Sequence, residues 1–297
     1  MSLTWQGRYQ PGRAPERVLR RMTPGDVPGA LALSRCIGWQ HDAPDWERLL
    51  HWSPDGCFVL EEQDAGIVGT VTTTPYGTAL AWIGMLLVAP DCQQLGLGTQ
   101  LMRAALDHLI ARNTERIMLD STEAGRRLYQ SMGFRTVGKT ERWEGRASTY
   151  LGPRARRMLP ADRGAIFALD RAAFGLDRSH ILNRLMDEFP NLAWVDYQGN
   201  MLEGYLLAHQ RGDQVFLGPW MSRTVASAER LLLIALEQLQ GQPIALHIPD
   251  SNGRGLILAS DHNLRRVRQC TRMIYGDAEP VRGEPLTELA IGTLATG

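Results

Sequence analysis

Val88-Ala89-Pro90-Asp91-Cys92-Gln93-Gln94-Leu95-Gly96-Leu97-Gly98-Thr99 is the stretch that decides how this chain is read. The run leading into it, Ala81-Trp82-Ile83-Gly84-Met85-Leu86-Leu87-Val88, carries no charge and predicts a buried strand. A Pro-containing turn comes next, and two glycines open an amphipathic helix over Gln100–Ala111 with Leu101, Met102, Ala105, Leu106, Leu109 and Ile110 on one face. A helix N-terminus offers unpaired N–H groups and the positive end of a dipole, which suits an anion. Glycines let backbone approach phosphate oxygens with no Cβ in the way. The stretch therefore reads as a phosphate-binding turn.

Upstream, Thr23-Pro24-Gly25-Asp26 has the cap, the proline and the carboxylate of a helix start, and a second helix is predicted over Ala43–Trp52. Three strands follow, Cys57–Glu62, Ile67–Pro75 and Ala79–Val88, the first two joined by a short turn at Asp64-Ala65-Gly66. Downstream come a strand at Arg116–Asp120, a helix at Glu123–Met132 stopped by Gly133, and a strand from Phe134. Thr149–Arg157, with Pro153 and three arginines, reads as a linker.

A similar order then recurs. Helices are predicted near Ala161–Leu169 and Ser179–Phe189, then strands Leu192–Tyr197, Met201–His209 and Gln214–Leu217. Helix Val225–Leu239, strand Pro243–His247, helix Gly253–Ser260 and strand Arg266–Tyr275 complete it. The halves read as two copies of one topology with little identity letter by letter. The expected division is a first domain at 1–152, a second at 158–276, and a tail at 277–297 that is partly unpacked.

Thirty-two basic residues balance 32 acidic ones, so no net charge argues for nucleic acid or an anionic membrane as partner. No apolar run approaches the roughly 20 residues of a membrane span, and the arginine-rich N-terminus lacks a secretory core. Cys36, Cys57, Cys92 and Cys270 are scattered with no metal-ligand spacing, so no metal is expected and the cytoplasm is the default location. Cys92, beside a helix start, is where a lowered thiol pKa is expected, without a catalytic role.

Two phosphate chemistries compete for the central turn. A dinucleotide fingerprint needs a third glycine where Leu101 stands, although Asp120 ends the next strand as a ribose-binding acid would. The other is a family match. Gln93-x-x-Gly96-x-Gly98 resembles the pyrophosphate signature of the GNAT superfamily of acetyltransferases, with Val88-x-Pro90 as its usual strand exit. Leu128-Tyr129-Gln130-Ser131-Met132-Gly133-Phe134 is similar to that family's second signature. Gly38-Trp39, Asp45-Trp46, Ala81–Met85 and Leu119–Arg126, followed by Ala173–Arg178 and Leu217-Gly218-Pro219, resemble a two-domain subgroup over roughly residues 18–276.

The resemblance implies an α/β chain of two tandem domains, each a mostly antiparallel sheet flanked by helices. It implies acetyl-CoA as co-substrate, with Gln93, Gln94, Leu95, Gly96, Leu97, Gly98 and Thr99 around the pyrophosphate and the main chain of Leu86, Leu87 and Val88 along the pantetheine. Thr122 and Arg126 are further cofactor contacts, and Tyr129 matches the tyrosine that protonates the departing thiolate. Asp120 is the candidate base, with His41 and Glu123 behind it; capping is its alternative role. Trp39, His41, Trp46 and Trp82 are candidates for the amine pocket, with a core role the alternative for the tryptophans. The second copy shows Gly218-Pro219-Trp220-Met221-Ser222-Arg223 where paired glycines would stand, so it is expected to be degenerate and unable to hold CoA. The expected reaction is acetyl transfer to a primary amine or peptide amine. The alternatives are a non-catalytic acetyl-CoA sensor and a nicotinamide-dependent oxidoreductase. The acceptor is open, and so is whether the chain is a homodimer.

Overall fold

The computed structural model describes residues 16–148, 155–281, 283 and 287–297. Its two compact units do not follow the two sequence copies: the first comprises residues up to Thr74 with Ile83–Asn113, the second Pro75–Trp82 with Thr114–Gly297.

The first unit is built on β1 (Arg17–Arg21), β2 (Phe58–Glu62), β3 (Gly66–Tyr76) and β4 (Leu80–Val88), neighbours in that order. The last residues of β3 and the first of β4 count with the second unit. Helices α1 (Val27–Cys36) and α2 (Ala43–Trp52) precede β2, and α3 (Leu97–Ala111) follows β4. The expected capped start holds: the Asp26 carboxylate accepts from the Thr23 N–H at 2.8 Å. Leu101, Met102, Ala105, Leu106 and Leu109 of α3 are buried, as the apolar periodicity predicts, whereas Ile110, expected on the same face, is exposed. At Gly69 of β3 the sheet needs a bare Cα, since a Cβ there would stand 2.8 Å from the Leu101 side chain.

The second unit contains β5 (Ile117–Ser121), α4 (Glu123–Ser131), β6 (Phe134–Arg146), β7 (Arg156–Arg157), α5 (Arg163–Phe174) and α6 (Ser179–Glu188). It continues with β8 (Ala193–Gln198), β9 (Met201–Arg211), β10 (Gln214–Ser222), α7 (Val225–Gln238), β11 (Pro243–Pro249), α8 (Gly253–Asp261), β12 (Arg265–Tyr275) and β13 (Glu288–Ala290). From the start of β4 its strands run β4, β5, β12, β6, β11, β10, β9, β8, β7, with β13 on β10. The β4–β5 and β10–β11 ladders are parallel and the others antiparallel, so the sheet is mixed. Trp194, Leu206, Trp220, Leu231, Leu232, Ile244 and Leu246 form part of one core between this sheet and α7.

The order holds an exchange that the sequence pattern does not announce. β12, the closing strand of the second copy, lies between β5 and β6 of the first, pairing Thr271 with Ser121 and Cys270 with Thr140. β6, the closing strand of the first copy, lies between β12 and β11, pairing Leu246 with Trp143. Each copy's last strand is thus hydrogen-bonded on both sides to strands of the other copy.

Three expectations change. Helix α3 starts at Leu97, directly after Gly96, the first glycine of the pyrophosphate signature, because Gly98 is accommodated inside its first turn. Strand β10 runs past Gly218-Pro219 to Ser222. The tail is not unpacked over its described part: Leu289, Ala290 and Ile291 are all at most 1% exposed. Residues 149–154 of the expected linker lie outside the described residues, and Arg156–Arg157 of it form β7 against β8.

The two copies also begin alike. Arg20-Arg21-Met22-Thr23-Pro24-Gly25-Asp26 and Arg156-Arg157-Met158-Leu159-Pro160-Ala161-Asp162 share five of seven letters. In each, the first arginine grips the aspartate with two nitrogens, at 2.7 and 2.7 Å in one and 2.7 and 2.8 Å in the other. The guanidinium of Arg20 holds Asp26 down to about 2, and Arg156 does the same for Asp162.

Candidate active site

In the first unit, β4 departs from regular strand geometry at Met85, whose φ is 49°, and the Thr70 hydroxyl donates to the Met85 carbonyl at 2.8 Å. Beyond it Leu86 and Val88 are half-buried and Leu87 is buried. Ala89 donates to Val68 at 2.8 Å, so β4 stays tied to β3 as it exits through the 3-10 turn Pro90–Cys92. The Gln93 amide donates to the Val88 carbonyl at 3.3 Å and folds the turn back on the strand.

The turn then needs two left-handed residues, Gln94 at φ 62° and Gly96 at φ 79°. Gly96 is the N-cap of α3, and the helix start has no side-chain cap. Gln93, Gln94, Leu95 and Gly96 are exposed, with Leu95 at 56% despite its apolar side chain, while Gly98 and Thr99 are half-buried and Leu97 turns inward. A Cβ on Gly96 would meet nothing within 4 Å. The glycine is therefore required by its backbone angle, and the space beside it is open. An open, uncapped start to a helix of 15 residues, with small residues at its mouth, fits a pyrophosphate.

Trp39 and His41 are half-buried with rings 5.6 Å apart. Trp46 is fully buried, so the core reading holds for it and the pocket reading does not. Cys92 is buried, and burial, followed by the nearby Glu62 charge, pushes its thiol up; the expected lowering is corrected.

In the second unit, parallel pairing joins Ala81 to Ile117 and Trp82 to Met118. Tyr129 lies on α4, edge-on to Phe134 at 6.0 Å. Desolvation raises its phenol above the usual value near 10, so it stays protonated through neutral pH. Thr122 is the N-cap of α4 and leaves the helix start without a side-chain cap. Arg126 pairs with Glu123 at 2.7 Å, and its Nε is enclosed with no hydrogen-bond partner.

Asp120, the candidate base, is committed to structural partners. Its side chain is fully enclosed, Arg272 approaches both oxygens at 3.2 and 3.1 Å, and Thr140 donates to it at 2.8 Å. Arg272 also stands 4.9 Å above the Trp82 ring, whose indole N–H donates to the Leu294 carbonyl at 3.1 Å. Trp82 is thus a clamped core residue and not an open pocket wall. Arg272 and Leu294 escaped the sequence reading because both come from the far end of the chain, and only the strand exchange brings Arg272 to Asp120.

The acetyltransferase (GNAT) family matches residues 30–134, and the acetyltransferase (GNAT) domain matches residues 166–286. The chain belongs to the GNAT acetyltransferase family. Its two GNAT domains stand in tandem, as the paired topology anticipated. The uncharacterised N-acetyltransferase YitH of Bacillus subtilis strain 168 is 27% identical over 230 residues, 76% of this chain and 80% of that protein. A proposed acetyltransferase of Pyrococcus horikoshii shares the fold at TM-score 0.79 and 23% identity, covering 98% of this chain and 100% of its own. A tandem GNAT protein from the clavulanic acid biosynthesis pathway does so at TM-score 0.62 and 14% identity, covering 89% and 100%. Among the described residues no helix is long and apolar enough to cross a membrane, and no cluster of His, Cys, Asp and Glu could hold a metal ion.

Proposed function

We propose that the chain transfers the acetyl group of acetyl-CoA to a primary amine, and that the first GNAT copy does so. The observation carrying this reading is the left-handed Gly96 at the uncapped start of α3, inside Gln93-x-x-Gly96-x-Gly98. The N–H groups of Gln94–Thr99 hold the pyrophosphate, and main-chain groups of Leu86–Val88 carry the pantetheine. Thr122 and Arg126 supply further contacts. The acceptor nitrogen attacks the thioester carbonyl, the C–N bond forms, and the C–S bond breaks. The phenol proton of Tyr129 goes to the departing sulfur, the surplus proton on nitrogen goes to water, and water returns a proton to the phenolate. Proximity of amine and thioester supplies much of the rate. Trp39 and His41 are the remaining candidates for the acceptor side.

Calorimetry of the full chain with acetyl-CoA tests this, followed by a thiol-release assay over a panel of primary amines. Micromolar binding with turnover of one amine supports the reading; no binding ends it. The locked Asp120 favours one second reading, a protein that binds acetyl-CoA without turning it over. Binding with no turnover across the panel would select it.

A further inference from the structure

The second copy repeats the parallel pair of strands that precedes a ligand slot. Val215, Phe216 and Leu217 of β10 pair with Ile244, Ala245 and Leu246 of β11, and the ladder stops there. Beyond it, both strands turn to a third partner. Trp220 pairs with Ala290 and Met221 with Glu288, both antiparallel, and Ser222 donates to the Thr287 carbonyl at 2.9 Å. On the other side His247 bridges to Ile291, whose N–H donates to the His247 carbonyl at 2.9 Å. Residues 287–291 therefore run as an inserted strand between two strands that have parted.

The surroundings are shaped to this segment. A Cβ on Gly218 would stand 2.2 Å from the Ile291 carbonyl oxygen, and one on Gly255 of α8 would stand 2.9 Å from that of Leu289. Asn252, the N-cap of α8, donates its side-chain amide to the Glu288 carbonyl at 2.6 Å and accepts from Gly255 at 3.1 Å. The Leu289 side chain belongs to the core. The helix after β10 is closed as well: the Thr224 hydroxyl accepts from the Ser227 N–H at 3.2 Å, whereas α3 has no such cap.

We propose that residues 287–291 are the resident occupant of the second copy's ligand slot, a main-chain stand-in for the amide-bearing arm of a pantetheine ligand. Parted strands leave backbone donors and acceptors that must find partners. An added strand satisfies them as a peptide does in β-augmentation. With the slot filled from within and the helix start capped, the chain takes one CoA per molecule. This stoichiometry rests on the acetyl-CoA reading of the first copy; the occupancy of the slot does not.

Two measurements on the full chain test it. Hydrogen exchange should show the segment 287–291 slowed by about 100-fold or more over unstructured chain, comparable with β10 and β11. Gly255→Val should bring the same segment to fast exchange, leaving β1–β3 unchanged. Calorimetry should give one CoA per wild-type chain and none for Gly96→Glu. Fast exchange of 287–291 in the wild type would overturn the proposal. So would one retained CoA in Gly96→Glu together with faster exchange of the segment on adding CoA, because the ligand would then be displacing it. If the wild type bound no CoA, the acetyl-CoA reading would fall, and exchange would still decide the segment's role.

Discussion

The Asp120 carboxylate at the end of β5 and the Tyr129 phenol on α4 show how differently a sequence exposes its chemistry. Tyr129 is readable because its neighbours Leu128 and Gly133-Phe134 are local. Asp120 has its partners Arg272 and Thr140 on other strands, and no local pattern reveals them. Tyr129→Phe should lower kcat by about 100-fold or more while KM for acetyl-CoA moves little, measured by steady-state thiol release. Since burial holds the phenol above its ordinary value, kcat should show no fall below pH 10 from loss of that proton. Asp120→Asn should instead act on stability, costing up to about 3 kcal/mol by depriving the half-buried Arg272 of its charge partner, read as a drop in denaturation midpoint. Asp26 and Asp162 belong to the same scale. Their folded values of about 2 lie below the ordinary 3.8, so each contributes stability that is present above pH 4 and lost as pH falls toward 2. Asp26→Asn or Asp162→Asn should cost about 1–2 kcal/mol at pH 7, the exposed side of each arginine reducing the figure, and the difference from wild type should close on acidification.

Most elements were legible because period and punctuation agree in them. Helix α2 matches its expected bounds, Ala43–Trp52, since Asp42 caps it and Trp52 is followed by Ser53-Pro54. The ends that moved have physical causes. β10 was expected to stop at Gly218-Pro219, where a proline cannot donate to a ladder; it continues because β13 supplies a new partner beyond the break. The repeated Arg-Arg-Met-x-Pro-x-Asp at the head of each copy is the identity that a search for long similarity passes over. The exchange of β6 and β12 was not legible at all, since either strand carries the same alternation beside its own copy or the other. It makes a prediction for the elements: a protease site opened within residues 149–154, once cut, should leave two fragments that co-elute on size exclusion and separate only in denaturant. Residues 1–152 alone, lacking β12 beside β5, should show a broad and low thermal transition.

For the whole molecule, two copies of one topology have taken unequal parts. The first keeps an open glycine turn, while residues 287–291 run between the parted strands of the second and its helix start is capped, so on the proposed reading duplication does not double the binding capacity. Gly96→Glu should therefore silence CoA binding by the entire chain, and no second, weaker isotherm should emerge at high ligand. The strand exchange also sets an order of events during synthesis. Asp120 and Arg272 are 152 positions apart, so at roughly 5–20 residues per second the ribosome delivers the partner of β5 some 8–30 s after β5 itself. Through that interval the first copy waits with an unfinished sheet edge, and its complete sheet cannot precede synthesis of nearly the whole polypeptide.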